Sequence, residues 1–234
     1  MKALLHSTAI LVTMAGPARG QVGHDPATSP YRDLRYGQFV TLTVGQLFGQ
    51  GGKLGIGPHS GQMAILRHDF LADRPLSIAL GAGLARVDRK IADLGPVPRR
   101  LIGPIQHNVY FAEGTAQFNL AGGKTWHNAA PYVSLGLGLA MAETIPNDSS
   151  RYRFGTKFYL APAVGVRYFL TRRLFLKVEA RTTFWSLSYP VTFRDDPDGP
   201  FGPAGPLLTG EIKEWSPTPL LHAGFGFAFH RPFF

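Results

Sequence analysis

The chain has 234 residues, a net charge of +9, no cysteine, 28 glycines, 12% aromatic and 17% charged residues. Without cysteine there is no disulfide, no thiolate metal centre, no lipid anchor on an N-terminal Cys and no Cys nucleophile. Charged residues fall below the ~25% of an average domain, and the basic ones are scattered. That pattern fits anionic lipid headgroups better than nucleic acid.

Lys2 opens the chain and is followed by an apolar run, residues 3–15, and then Gly16, Pro17, Ala18, Arg19 and Gly20. This reads as a secretory signal, residues 1–20, cut after Gly20 with Ala18 at the other selective position. The run is shorter than the ~20 residues a spanning helix needs. Residues 21–35, with Gly, Pro, Asp and Ser, read as a flexible lead.

Eight alternating segments follow, each reading as a strand. In residues 36–48, Val40, Leu42 and Val44 oppose Thr41, Thr43 and Gly45. In residues 60–70, Ala64, Leu66 and Phe70 oppose Arg67 and Asp69, with Met63 and Ile65 on the side of Arg67. In residues 75–87, Leu76, Ile78, Leu80 and Leu84 oppose Ser77, Gly81 and Gly83. In residues 108–120, Tyr110, Ala112, Ala116, Phe118 and Leu120 oppose Glu113, Thr115, Gln117 and Asn119. In residues 131–141, Val133, Leu135, Leu137, Leu139 and Met141 oppose Ser134, Gly136 and Gly138. In residues 157–170, Phe158, Leu160, Val164, Val166, Tyr168 and Leu170 oppose Tyr159, Gly165 and Arg167. In residues 174–188, Leu174, Leu176, Val178, Ala180 and Phe184 oppose Lys177, Glu179, Arg181 and Thr183. In the last segment Leu221, Ala223, Phe225, Phe227 and Phe229 oppose His222, Gly224, Gly226 and Ala228.

Each segment reaches the 9–11 residues with which a tilted strand crosses a bilayer. The connections at 71–74 and 171–173 are tight and that at 121–130 is medium, whereas 49–59, 88–107, 143–156 and 189–218 are looser. Short turns at one end and long loops at the other are the layout of outer-membrane barrels. One face is almost free of charge over all eight segments. The other is mostly Gly, Ala, Ser and Thr, a composition for a cramped interior rather than a wetted exterior. Tyr36, Phe70, Phe118, Tyr168 and Phe229 lie toward the turn end of the apolar face, with Phe48, Tyr110, Phe158 and Phe184 toward the loop end, as interfacial girdles do. The fold class predicted is all-β, a closed antiparallel up-and-down transmembrane barrel of about eight strands occupying residues 36–234.

The last segment resembles the C-terminal insertion signal of bacterial outer-membrane β-barrels through His222, Gly224, Phe227 and Phe229, with Phe234 beyond a short tail. Over almost all of its mature length the chain resembles the small OmpA/OmpX-type barrels. The resemblance implies residence in the bacterial outer membrane with both termini periplasmic. It also implies insertion by the barrel assembly machinery and a monomer surrounded by outer-membrane lipid and lipopolysaccharide. Nothing follows the last segment that reads as a periplasmic peptidoglycan-binding domain.

Candidate functional residues fall into three groups. Charges on the inward face must pair, since an unpaired buried charge is costly. A network is therefore expected around Glu113, Glu179 and Arg181, with Arg67, Arg167 and Lys177, serving as a structural plug or a gate. Arg89, Lys90, Arg99 and Arg100 could meet lipopolysaccharide phosphates, and Phe193, Phe201 and Trp215 could form an outer contact surface. Lipid A deacylases of barrel type resemble a His-x-Ser pair, which the mature sequence lacks. His59-Ser60 is adjacent and falls in an expected loop, His68 falls on the lipid side near Phe70, and His107 and His127 fall in connections. Asp195, Asp196, Asp198 and Gly199 lack the spacing of a calcium loop. No cofactor, metal or catalytic residue is expected. The readings are a structural or surface-interaction barrel, a narrow channel for ions or small solutes given room by glycines on the third, fifth and eighth segments, or a lipid-A-modifying enzyme.

Overall fold

The computed structural model describes residues 29–34, 37–71, 75–93, 100–146, 148, 151–194 and 208–229. The expected signal segment, Tyr36, Arg99, the aspartates 195, 196 and 198, Phe201 and Phe234 lie outside them. The strands are β1 (Tyr31–Asp33), β2 (Gln38–Gln50), β3 (His59–Leu71), β4 (Leu76–Asp93), β5 (Arg100–Asn119), β6 (Lys124–Trp126), β7 (Ala129–Ala142), β8 (Thr156–Phe169), β9 (Leu174–Ser188) and β10 (Lys213–Phe229).

Eight of these close on themselves. The hydrogen-bonded order runs β7-β5-β4-β3-β2-β10-β9-β8, and β8 pairs back to β7. All neighbours are antiparallel, and the seam is the pairing of β10 with β2, from Leu220↔Leu47 to Phe229↔Gln38. Closure leaves no edge, so every strand's backbone polar groups have partners without water. The remaining two strands, β1 and β6, pair at the turn end, Tyr31 opposite Trp126. The expected flexible lead thus contains a short strand.

Turn chemistry explains the tight ends. His127 and Asn128 both have positive φ, 46° and 66°, between the paired residues Trp126 and Ala129. That is the mirror-image turn whose twist suits a two-residue hairpin. The Thr171 hydroxyl accepts from the backbone N–H groups of Arg173 and Leu174, fixing the β8–β9 turn.

Two connections expected to be loose contain strand. β4 and β5 continue past the girdle pair Leu84↔Tyr110 to Asp93↔Arg100, with a register shift between Arg89 and Ile91. The hairpin therefore runs on for roughly 30 Å beyond that pair at ~3.3 Å per residue. The apolar positions that sustain it, Ile91 and Ala92, are buried. β10 begins at Lys213, which puts Trp215 on a strand rather than in a loop. Likewise His59 and Ser60 open β3, and His107 is a buried residue of β5.

The two faces of the wall are opposite in character. Large apolar side chains point outward on all eight strands, and Val44 and Phe225 are 63% and 62% exposed. A water-soluble monomer rarely exposes a contiguous apolar patch beyond a few hundred Å². Here the band encircles the molecule.

Candidate functional site

The lumen is filled in three layers. At the turn end Phe39, Phe169 and Phe175 pack on Ala130 and Ala228, with ring centroids 5.2 to 6.3 Å apart. At the loop end Leu47, Met63, Phe111, Trp185 and Leu187 form a second apolar layer. Connections fold back onto it: Ile56, Tyr152, Phe154, Tyr189, Phe193 and Leu208 are buried in the same cluster. The charged middle layer lies between.

In that layer four cations, Arg67, Arg167, Lys177 and Arg181, meet three carboxylates, Asp69, Glu113 and Glu179. Glu179 is its hub. Its Oε2 lies 3.0 Å from Arg67 Nη1 and 3.2 Å from Lys177 Nζ. Tyr132 donates its hydroxyl to the same oxygen at 2.7 Å, while Oε1 lies 3.0 Å from His222 Nε2. The other arm of Arg67 reaches Glu113 at 3.1 Å. Glu113 also pairs with Arg181 and accepts from Thr115 and Tyr159 at 2.7 and 3.0 Å. Arg167 donates to Asp69 at 2.9 Å and to Gln117 at 3.0 Å. Its guanidinium also sits 4.7 Å over the Phe39 ring, tying the charged layer to the aromatic one.

The six residues expected in the network, Arg67, Glu113, Arg167, Lys177, Glu179 and Arg181, are thus together. Sequence reasoning placed Asp69 on the inward face without assigning it to the network, and left out Tyr132, Tyr159, His222 and Gln117 as partners. The signal for them was inward parity on β3, β7, β8, β10 and β5, the same parity that picked out the charges.

Most of the glycines expected to leave room do not. A Cβ on Gly136 would lie 2.7 Å from Glu113 Cδ and 2.8 Å from Arg181 Nη2. The same addition would strike the Tyr159 ring at Gly138 and the Phe175 ring at Gly226. At Gly136, Gly138 and Gly226 a large neighbour already occupies the space, whereas a Cβ at Gly81 would meet only ordinary contacts, the nearest being Leu66 O at 3.4 Å.

His222 shares a hydrogen bond with Thr43 Oγ1 at 2.9 Å through Nδ1 and meets Glu179 through Nε2. Hydroxyl, imidazole and carboxylate stand in the order of a hydrolytic triad. However, Thr43 and His222 are buried in the lumen, and Glu179 is engaged by Arg67, Lys177 and Tyr132. All three groups face the interior of the barrel. The remaining insertion-signal residues lie on β10: Phe227 and Phe229 are exposed with rings 5.0 Å apart, and Gly224 sits where a Cβ would run into the Leu42 carbonyl across the seam.

Of the four residues expected to contact lipopolysaccharide, Arg89 does not fit that role and Arg99 lies outside the described residues. Arg89 is buried and spoken for, donating to Ile56 O at 2.8 Å and Tyr152 O at 3.0 Å and pairing with Asp148. Lys90 is half-buried, and Arg100 pairs through its backbone with Asp93. The outer aromatic surface is revised too: Phe193 is buried, while Trp215 is exposed. His68 is half-buried with its ring 4.2 Å from that of Phe70.

No protein-family model and no curated protein matches the chain. Solved structures do. The outer membrane protein OprG from Pseudomonas aeruginosa aligns with a TM-score of 0.51 at 17% identity, over 84% of this chain and 97% of that one. The chain has the fold of the small outer-membrane β-barrels. Neisserial surface protein A aligns likewise, with a TM-score of 0.52 at 13% identity over 82% of this chain and 97% of that one. At such identities the likeness is one of barrel architecture.

Proposed function

We propose that the chain is an integral barrel of the bacterial outer membrane, with both termini periplasmic and its work done at the loop-end surface. The lumen serves as a structural plug. The observation carrying this reading is the filling of the interior along its length: aromatic layer, ion-pair layer and apolar layer, with the loops folded onto the last. A water-filled path needs a gap through all three. A narrow channel has less support, because the space beside Gly136, Gly138 and Gly226 is taken by Glu113, Arg181, Tyr159 and Phe175. An enzyme that modifies lipid A would need its reacting group at the wall or the rim, whereas Thr43, His222 and Glu179 lie inside.

The loop end offers a surface of its own. The β4–β5 hairpin stands clear of the apolar band and exposes Leu101 and Ile102, and Trp215 is exposed near the start of β10. The test is topological. Trypsin added to intact cells should cut at Arg151 or Arg153, which are exposed between β7 and β8, and the remaining barrel should show heat-modifiable gel mobility. Cleavage confined to lysed cells would reverse the orientation, and mobility indifferent to heating would remove the barrel.

A further inference from the structure

A second feature lies on the outside of the wall. Gln46 stands opposite Gln62, Gln62 opposite Arg86, and Arg86 opposite Asn108. Glu143 follows, its backbone N–H donating to Asn108 O at 3.0 Å and its carboxylate accepting from Asn108 Nδ2 at 3.2 Å and Tyr110 OH at 2.6 Å. These five side chains share the outward parity of the apolar band. They form one unbroken polar row across β2, β3, β4, β5 and the end of β7. One register step below, toward the turn end, the row gives way to Val44, Ala64, Leu84 and Tyr110.

Beneath the row runs a groove of about 850 Å³. Its upper lining is Gln46, Gln62, Arg86 and Asn108, and its apolar lining includes Val44, Ala64, Leu84, Leu221 and Ala223. Ala223 and Ala64 flank Val44 in register, so small side chains hollow the wall between larger ones. Arg86 is exposed, and among the described residues no carboxylate forms an ion pair with it.

We infer that this groove binds one outer-leaflet lipid whose headgroup is a phosphorylated sugar, a molecule of the lipid A type. The inference rests on the orientation proposed above. Arg86 supplies the fork that pairs with a phosphate. The amides of Gln46, Gln62 and Asn108 and the Glu143 carboxylate match sugar hydroxyls, as donors and acceptors respectively. An acyl chain covers the alanine-floored groove. The length of the row favours a sugar headgroup over a simple phosphodiester. Four strand spacings of ~4.8 Å make about 19 Å, longer than one phosphodiester spans. The negative end at Glu143 lies two strands from Arg86, so the phosphate binds at one place in the row.

The experiment is native mass spectrometry of the refolded full chain in detergent, titrated with bis-phosphorylated lipid A, with dephosphorylated lipid A, and with phosphatidylglycerol. Wild type should retain one lipid A. Arg86→Gln should bind it about tenfold more weakly, the factor expected for losing a charge-assisted hydrogen bond. Dephosphorylation should weaken wild type by a similar factor and leave Arg86→Gln unchanged. Gln62→Leu should weaken both forms of lipid A, while Arg172→Gln, in the β8–β9 turn, should change nothing. Equal retention by wild type and Arg86→Gln overturns the site, and equal binding of phosphatidylglycerol overturns the sugar specificity. A wild-type chain that gives no heat-modifiable barrel refutes the membrane-barrel reading and takes the site with it.

Discussion

Arg67 Nη1 lies 3.0 Å from Glu179 Oε2, and that ion pair bridges β3 and β9 through the middle of the barrel. The strands are not neighbours in the wall. Removing the carboxylate leaves Arg67 and Lys177 buried with one anion fewer. Glu179→Gln should therefore lower stability by about 3–5 kcal/mol, the usual cost of breaking a buried pair from one side. Urea unfolding in lipid vesicles, followed by loss of heat-modifiable mobility, measures it.

The same imidazole that fits the insertion signal, His222, bonds to both Thr43 and Glu179. If the order of these groups serves packing, His222→Ala should reduce stability and leave lipid A chemically unchanged. Incubating purified wild type with lipid A and assaying for free fatty acid tests this. Release that disappears in His222→Ala would establish an enzyme.

Gly224 and Gly136 are small for different neighbours. At Gly224 the obstacle is backbone, the Leu42 carbonyl and Thr43 Cα across the seam, which cannot rotate away. At Gly136 it is the far end of the Glu113 and Arg181 side chains. Gly224→Ala should cost about 1–3 kcal/mol through a shifted strand and slow closure of β10 on β2, whereas Gly136→Ala should cost less. Folding yield and rate in vesicles of fixed composition separate the two.

The loops are held by a small set of contacts that respond to pH. Tyr189 donates its hydroxyl to Glu214, which also accepts from Lys53 N at 2.8 Å, so one carboxylate holds two connections. Burial first, and then the Glu214 carboxylate, push the Tyr189 phenol above its ordinary value. A phenol raised in this way adds stability below its unfolded pKa of about 10, and the contribution is lost as pH climbs toward the folded value. Proteolysis between β9 and β10 should accelerate above about pH 10 in wild type. In Tyr189→Phe the rate should be faster at neutral pH and flatter with pH.

Much of this molecule was legible because the wall has period two. Once parity is set on a strand, it fixes which residues face lipid and which face the lumen, and Glu179, Arg181 and Lys177 follow as neighbours inside. The loops were less legible for a physical reason. β4 and β5 outrun the apolar band, and beyond it the alternation no longer separates lipid from lumen. Arg89 and Lys90 then read as exposed charges, although Arg89 is folded in against Ile56, Tyr152 and Asp148. Phe193 was misjudged for a related reason, since a Pro-rich surrounding says nothing about a loop turning back into the barrel mouth. The polar row on the outside was hidden because it runs across strands. Gln46, Gln62, Arg86, Asn108 and Glu143 are each an unremarkable polar residue in their own segment, and only the register joins them.

Whether the interior is a plug is tested most directly by conductance in planar lipid bilayers. The filled lumen predicts no stable ohmic current for wild type, and none for Glu179→Ala, because the aromatic layer around Phe39 and the apolar layer around Trp185 remain on either side of the charges. A steady single-channel current in wild type, or one that appears in Glu179→Ala, would contradict it.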